Sequence, residues 1–153
     1  MSSTEIRIET ASIRQLQQLY NIEIQCFKNE AFSKKQISNL LTNYNSISLI
    51  AQLNNEIVGF IIGIIYFERD SAVGHILTID VLPEHRKKGI GLRLMQTIEE
   101  IFKSKGAKAS VLEVREDNVE ALRLYQKCGY RKIGRLEGYY GNAHGAYLRK
   151  MLT

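Results

Sequence analysis

The sequence predicts a mixed α+β fold. Two segments with helical periodicity come first, three apolar strands follow with only short polar turns between them, and strands and helices then alternate to the end. The chain has 153 residues, of which 44% are hydrophobic. Because this is the length of one ordinary domain with a real core, we expect a single domain over residues 1–153.

The first half predicts a strand, two helices and an antiparallel meander. Residues 12–27 repeat apolar side chains at helical spacing. Ser33 and Gln36 occupy the two positions of a capping box, so a second short helix is expected to begin at Ser33. Alternating or continuous apolar runs predict strands at residues 5–10, 46–53, 57–67 and 72–82.

The second half predicts alternating helices and strands. From Gly89 the apolar residues follow one helical face, which ends at Lys105 and Gly106. A second helix is expected between Asn118, a suitable cap, and Gly129, a suitable terminator. The expected strands are residues 109–114 and 146–152, with one more around Tyr130.

Composition excludes several functions. Although the net charge is +5, the basic residues are scattered and are not interleaved with aromatic residues, so nucleic acid is not the expected substrate. Cys26 and Cys128 lack the spacing of a zinc site, and we expect two reduced thiols and no metal. No apolar run reaches the roughly 18 residues that span a bilayer, and no leader segment is evident. We therefore expect a soluble, cytoplasmic protein without a membrane partner.

The stretch RKKGIGLRL, residues 86–94, indicates an anion site. Gly89 and Gly91 lie where a strand gives way to a helix, and free N–H groups at a helix start favour phosphate. The spacing excludes two common phosphate loops, since a dinucleotide fingerprint needs glycine where Leu94 stands and the P-loop pattern is absent. A tight turn with a solvated basic edge remains the alternative.

Two motifs together resemble the GNAT superfamily of acetyl-CoA-dependent N-acetyltransferases, and within it the RimI-like ribosomal-protein and N-terminal acetyltransferases. The first is the acyl-CoA signature, which Arg86, Gly89 and Gly91 satisfy. The second is the block LEVREDNVEALRLY. Its matching residues are Glu113, Val114, Arg115, Asn118, Leu124 and Tyr125.

This resemblance implies a fold and a cofactor. The fold would be a twisted, mostly antiparallel sheet of six to seven strands with about four helices, splayed between the fourth and fifth strands. The cofactor would be acetyl-CoA, with a strand edge along its pantetheine arm, the basic loop at its pyrophosphate, and one N–H, that of Val81, at the acetyl carbonyl. The implied cofactor residues are Ile79, Asp80, Val81, Arg86, Lys87, Lys88, Gly89, Ile90, Gly91, Leu92, Asn118 and Tyr125.

The resemblance also implies two catalytic residues. Glu113 would take the proton of the attacking amine, and Tyr125 would protonate the departing thiolate. The alternatives are a surface glutamate paired with Arg115 or a lysine, and a tyrosine that only packs in the core. An α-amine has a pKa of about 7.7 to 8.0 and lysine about 10.4, so deprotonating lysine costs roughly 3.5 kcal/mol more. One modest base therefore suits a protein N-terminus better.

Acceptor residues are expected in two loops. Tyr139 and Tyr140 match the start of the loop that closes over the peptide, and Phe27 and Phe32 are candidates for the other wall, although all four could be core residues. Where relatives carry acidic residues, this chain has His144 and Gly145; His144 is interpreted as an exposed loop residue, with a substrate contact as the alternative. His75 and His85 are interpreted as structural.

The expected acceptors are protein or peptide N-termini, with ribosomal proteins among the candidates, and the expected state is a monomer or weak homodimer. A lysine or small-amine acetyltransferase and a non-catalytic CoA-binding or protein-binding module stay open as alternatives.

Overall fold

The structure, a computed structural model, describes residues 5–152, and it contains the elements that the sequence predicts, including the additional strand after Tyr130. The strands are β1 (Arg7–Thr10), β2 (Ser46–Leu53), β3 (Glu56–Glu68), β4 (Ser71–Val81), β5 (Ala107–Arg115), β6 (Arg131–Leu136) and β7 (Gly145–Met151). The helices are α1 (Leu16–Cys26), α2 (Lys34–Thr42), α3 (Ile90–Ser104) and α4 (Val119–Lys127).

The seven strands form one sheet in the order β1-β2-β3-β4-β5-β7-β6. All neighbours are antiparallel except β4 and β5, which are parallel because α3 crosses over between them. These two strands pair only from Ala72–Ala107 to His75–Val111. Beyond that point they separate, so residues 76–81 of β4 present an unpaired edge. The predicted fold class and the predicted splay are both confirmed.

Hydrogen bonds confirm the predicted starts of α2 and α4. Ser33 Oγ accepts from the Gln36 N–H at 3.1 Å, and Gln36 Oε1 accepts from the Ser33 N–H at 2.8 Å, which together make the capping box. Asn118 Oδ1 accepts from the Ala121 N–H at 3.1 Å and caps α4. These bonds fix where α2 and α4 begin, and α4 carries Tyr125.

The sheet separates two hydrophobic cores. Adjacent residues of one strand, such as Leu49 and Ile50 of β2, belong to different cores because successive side chains point to opposite faces. The larger core contains the buried face of α3, and the smaller one contains buried residues of α1 and α2. The helices therefore cover both faces, and the splay between β4 and β5 lies between them.

Close packing brings α3 onto the sheet. A Cβ built on Gly74 of β4 would lie 2.2 Å from the Phe102 ring, and one on Gly63 of β3 would lie 2.7 Å from it. Because real Cβ atoms do not approach this closely, only glycine admits the ring at these two positions. The ring thus fixes the distance of α3 from β3 and β4.

Candidate active site

The N-terminus of α3 lies at the end of the unpaired β4 edge. After Val81 the chain makes a short 3-10 turn, and Gly89 precedes α3 with φ of 82°, a left-handed conformation that favours glycine. The first intrahelical bond is donated by Arg93 to the Gly89 carbonyl. The N–H groups of residues 90–92 therefore have no intrahelical acceptor and are available to an anion.

The space in front of this loop fits a phosphate. A Cβ built on Gly89 would meet no atom within 4 Å, so the backbone there faces open space. Lys87 is also left-handed, with φ of 63°, and Lys88 Nζ lies 3.3 Å from Nδ1 of His85. Residues 86–92 thus combine basic side chains with an open backbone at the start of a helix, a set of donors that suits a phosphate group.

Arg86 binds the unpaired edge itself. Its Nε donates to the Val81 carbonyl at 3.0 Å, and the Cys26 thiol of α1 donates to the same carbonyl at 3.5 Å. Burial, followed by the proximity of Asp80, raises the pKa of Cys26 to about 11, so the thiol is neutral and can donate. Arg86, one of the predicted cofactor residues, thus lies against the strand edge that precedes the loop.

Three elements meet beside this edge. A Cβ built on Gly91 would lie 3.2 Å from a Leu124 methyl of α4 and 4.0 Å from a Val81 methyl of β4. The absence of a side chain at Gly91 therefore lets α3 approach α4 and β4 together. This brings Tyr125 and Asn118 of α4 to the same end of the splay as the loop.

Glu113 pairs with a histidine that the sequence interpretation left as structural. Nε2 of His75 lies 2.8 Å from Oε1 of Glu113, and the two side chains are 24% and 20% exposed. His75 is opposite Val111 in the parallel ladder, so Glu113, two residues further along β5, projects from the same face. Glu113 is not paired with Arg115, which was one alternative. The available signal was a polar residue inside an otherwise apolar strand.

The position of Tyr125 is compatible with both roles considered from sequence, packing in the core and donation of a hydrogen bond to a ligand. It is 6% exposed, and its ring meets the edge of Tyr130 with centroids 6.1 Å apart. Burial, and then proximity to Tyr140 and Asp80, raises the pKa of the Tyr125 hydroxyl. None of the described groups forms a hydrogen bond with this hydroxyl, which leaves it able to donate to a ligand.

Arg115 links the two predicted acceptor walls. Its guanidinium binds Glu30 in the loop between α1 and α2, and it donates to Asn142 Oδ1 in the β6–β7 loop at 3.2 Å. It also lies 5.7 Å from the centre of the Tyr140 ring. The hydrogen bonds that Arg115 donates to Asp117, and with a smaller effect to Glu30, raise the pKa of its guanidinium, so Arg115 stays charged. The two loops are thus joined across the end of β5.

The four predicted acceptor residues lie in these two loops. Phe27 follows α1, Phe32 precedes α2, and both are half-buried. Tyr139 is 55% exposed, and its ring centre lies 4.9 Å from that of Tyr140. Burial, and then Tyr139 and Glu113, raises the pKa of Tyr140 to about 12. Burial, and then the negative charge of Glu113, also raises the pKa of Tyr139.

The loop between β6 and β7 contains His144, which was interpreted from sequence as a loop residue. His144 accepts a hydrogen bond from the Gly138 N–H at 2.9 Å and so shapes the β6–β7 loop.

Among residues 5–152, no group of three His, Cys, Asp or Glu side chains could hold a metal ion. No helix in that part of the chain is long and apolar enough to cross a membrane.

Comparison with known proteins identifies the class. The Acetyltransferase (GNAT) family model matches residues 16–130. An N-alpha-acetyltransferase of Saccharolobus solfataricus is 34% identical over 117 residues, which are 71% of this chain and 70% of that protein. The uncharacterized N-acetyltransferase MJ1530 of Methanocaldococcus jannaschii is 32% identical over 142 residues, which are 92% and 88% of the two chains.

A solved structure agrees at the level of fold. NAA60 of Arabidopsis thaliana in complex with acetyl-CoA has a TM-score of 0.87 at 19% identity, and the match covers 97% of this chain and 99% of that one. The chain described here belongs to the GNAT acetyltransferase family. The predicted family, the acyltransferase class and the acetyl-CoA cofactor are thereby confirmed.

Proposed function

We propose that this acetyltransferase moves the acetyl group of acetyl-CoA to the α-amine of a protein or peptide N-terminus. The observation that carries the proposal is the arrangement around the splay. The His75–Glu113 pair lies where β4 and β5 begin to separate, and the loop of residues 86–92 follows the end of β4. The similarity to a relative named N-alpha-acetyltransferase supports the α-amine.

Cofactor binding is assigned to the unpaired edge and the loop. Ile79, Asp80 and Val81 would offer backbone groups to the pantetheine arm, and the N–H groups of residues 87–92 would bind the pyrophosphate. Asn118 uses its side-chain oxygen as a helix cap, so its amide nitrogen remains able to donate. When bound, acetyl-CoA supplies an acetyl group activated as a thioester.

Glu113 is assigned the proton of the attacking amine. His75 donates from Nε2 to Glu113 Oε1, which holds the carboxylate in one orientation and leaves Oε2 to face the amine or a bridging water. His75 thus extends the predicted catalytic pair to three residues. The Val81 N–H would stabilise negative charge that develops on the acetyl oxygen.

Tyr125 is assigned to the departing sulfur. Because its pKa is raised by burial, Tyr125 is a weaker acid than free tyrosine, and complete proton transfer to a thiolate of pKa about 8.5 is uphill. A hydrogen bond from the tyrosine hydroxyl to the sulfur gives stabilisation without that cost. We therefore assign Tyr125 a hydrogen-bonding role.

The acceptor is assigned to the groove between the two loops that Arg115 joins. Phe27 and Phe32 would form one wall, and Tyr139 and Tyr140, whose rings lie edge to face, would form the other. One carboxylate is sufficient for an α-amine, whose deprotonation at neutral pH is much easier than that of lysine. Ribosomal proteins remain candidate acceptors, and a monomer or weak homodimer remains the expected state.

A pair of matched peptides tests the proposal. Both have the same lysine-free sequence, but one has a free α-amine and the other an α-amine that is already blocked. We expect release of free CoA, followed with a thiol reagent, only with the free amine. Equal release from both peptides, or none from either, contradicts the proposed acceptor.

A further inference from the structure

Two buried carboxyl groups lie beside the site without a role in the mechanism above. Glu23 of α1 and Asp80 of β4 are each 1% exposed, and Thr78 between them is 6% exposed. Thr78 and Asp80 lie on the face of β4 that α1 covers, beside the smaller core, and Glu23 faces them from α1. Carboxyl groups are rarely buried this completely unless they are paired, so their hydrogen bonds require an explanation.

Hydrogen counting places a proton on this pair. Thr78 Oγ1 lies 3.0 Å from Glu23 Oε1 and 2.7 Å from Asp80 Oδ1. Since a hydroxyl has one hydrogen, Thr78 donates to one oxygen, and the other contact is a hydrogen bond only if that carboxyl is protonated and donates to Thr78. Two ionised carboxylates do not satisfy both distances.

The surroundings assign the proton to Asp80. Glu23 Oε2 already accepts from the Phe32 N–H at 3.0 Å, which favours the anion at Glu23. Asp80 Oδ2 has no hydrogen-bond partner among the described groups, which would be costly for a buried anion. Burial, followed by the proximity of Glu23, raises the pKa of Asp80 well above its usual value. The bonds then run in one direction, from Asp80 through Thr78 to Glu23.

We propose that Glu23, Thr78 and Asp80 form a carboxyl relay, in which one carboxyl proton connects the cofactor-side strand β4 to helix α1. Through the bond that Glu23 accepts from Phe32, the relay holds the acceptor loop, residues 27–33, against the sheet. Asp80 is then a positioning residue for the acceptor. The acceptor part rests on the proposed function, because it takes this loop as one wall of the peptide groove.

The relay makes the position of the acceptor loop depend on pH. It is intact while Asp80 keeps its proton, and loss of that proton at high pH leaves two buried anions facing each other. The other titratable or charged groups that face Asp80 in the described structure are Cys26 of α1, Arg86 after β4 and Tyr125 of α4. Of these three groups, Arg86 is the one that favours the Asp80 anion.

The first test does not depend on acetylation. Infrared spectra at neutral pH should contain the carbonyl band of a buried, protonated carboxylic acid. Asp80→Asn and Asp80→Ala should both lose this band, whereas Asp70→Asn, which changes an exposed aspartate in the β3–β4 turn, should keep it. Absence of the band from the wild type, or its survival in both Asp80 variants, overturns the relay.

Hydrogen exchange of the Phe32 amide tests the connection to the loop. Asp80→Ala should exchange this amide about tenfold faster than wild type, because loss of the Asp80–Thr78 bond removes the support that orients Glu23. Asp80→Asn should restore protection, because its amide can donate to Thr78 at every pH. After correction for intrinsic rates, wild-type protection should fall as pH rises, while that of Asp80→Asn stays constant. Equal protection in wild type and Asp80→Ala overturns the connection.

Kinetics separate the relay from the proposed function. With an acetylated peptide substrate, Asp80→Ala should raise the peptide KM about tenfold, with a smaller change in kcat. If no peptide is acetylated, the proposed acceptor fails, while the infrared and exchange results still decide the relay. Faster Phe32 exchange with an unchanged peptide KM overturns the positioning role.

Discussion

The replacement Glu113→Gln tests the assigned base. It keeps the size of the side chain and a hydrogen bond to His75 but removes the group that accepts a proton. General bases contribute about 10²- to 10⁴-fold, and we expect kcat/KM to fall about 100-fold, because a water beside His75 can still take the proton. This corresponds to about 2.7 kcal/mol of transition-state stabilisation.

The structure separates this effect from unfolding. Because glutamine keeps the size of the side chain and a hydrogen bond to His75, we expect the free energy of unfolding to change by about 1 kcal/mol or less. We therefore expect Tm to fall by only a few degrees in a chain of this size. Rates come from release of free CoA, and Tm from thermal unfolding of the same preparations.

A matched control variant and a double-mutant cycle complete the test. Glu116, three residues further on, is ion-paired with Lys132 and Arg135 at 3.0 Å, and Glu116→Gln should leave kcat/KM within about twofold. If His75 and Glu113 act as one unit, His75→Phe combined with Glu113→Gln should cost much less than the product of the two single effects. An unchanged kcat/KM in Glu113→Gln refutes the assigned base.

Three further replacements have defined outcomes. Gly89→Glu should abolish acetyl-CoA binding measured by calorimetry, because the added carboxylate has room but repels the pyrophosphate; undiminished affinity would remove the loop from the site. Tyr125→Phe should lower single-turnover rates about tenfold by removing the bond to sulfur, and an equal rate would leave Tyr125 only its packing role. Gly74→Ala should destabilise by about 1 to 3 kcal/mol in urea, because its Cβ would overlap the Phe102 ring, whereas Gly134→Ala should change little because its Cβ finds an ordinary 3.8 Å contact. Equal stability of the two glycine variants would contradict the packing argument.

The local elements could be predicted because their signals are contained in short segments. Ser33 and Gln36 are three residues apart, and the cap at Asn118 acts on the turn that follows it. The strands of the meander show continuous apolar runs bounded by turn residues. The turn before α3 was also evident, since Gly89 and the cations before it lie within a few residues of the helix start.

The connections between distant strands could not be predicted in the same way. His75 and Glu113 are separated by 38 positions, and their contact depends on the register of a parallel pair joined through α3. The contact between Arg115 and Glu30 spans 85 positions. A single sequence carries no local signal for either register or loop approach.

Asp80 shows a second reason why part of the site could not be predicted from sequence. From sequence, the family resemblance assigned Asp80 only to the strand edge that pairs with the cofactor, and nothing in the sequence indicated a role for its side chain. Its burial depends on α1 covering this part of the sheet and on Glu23 lying opposite. Such a pair becomes visible only when the helix and the strand are placed together.

The most direct test of the central claim is to locate the acetyl group on a peptide that offers both kinds of amine. The purified protein is incubated with acetyl-CoA and a library of short peptides, each with a free α-amine, an internal lysine and varied first two residues. Fragmentation mass spectrometry then assigns the modified nitrogen. The account predicts acetyl on the α-amine, in amounts that depend on the first two residues. Acetyl found only on the lysine side chain would contradict it.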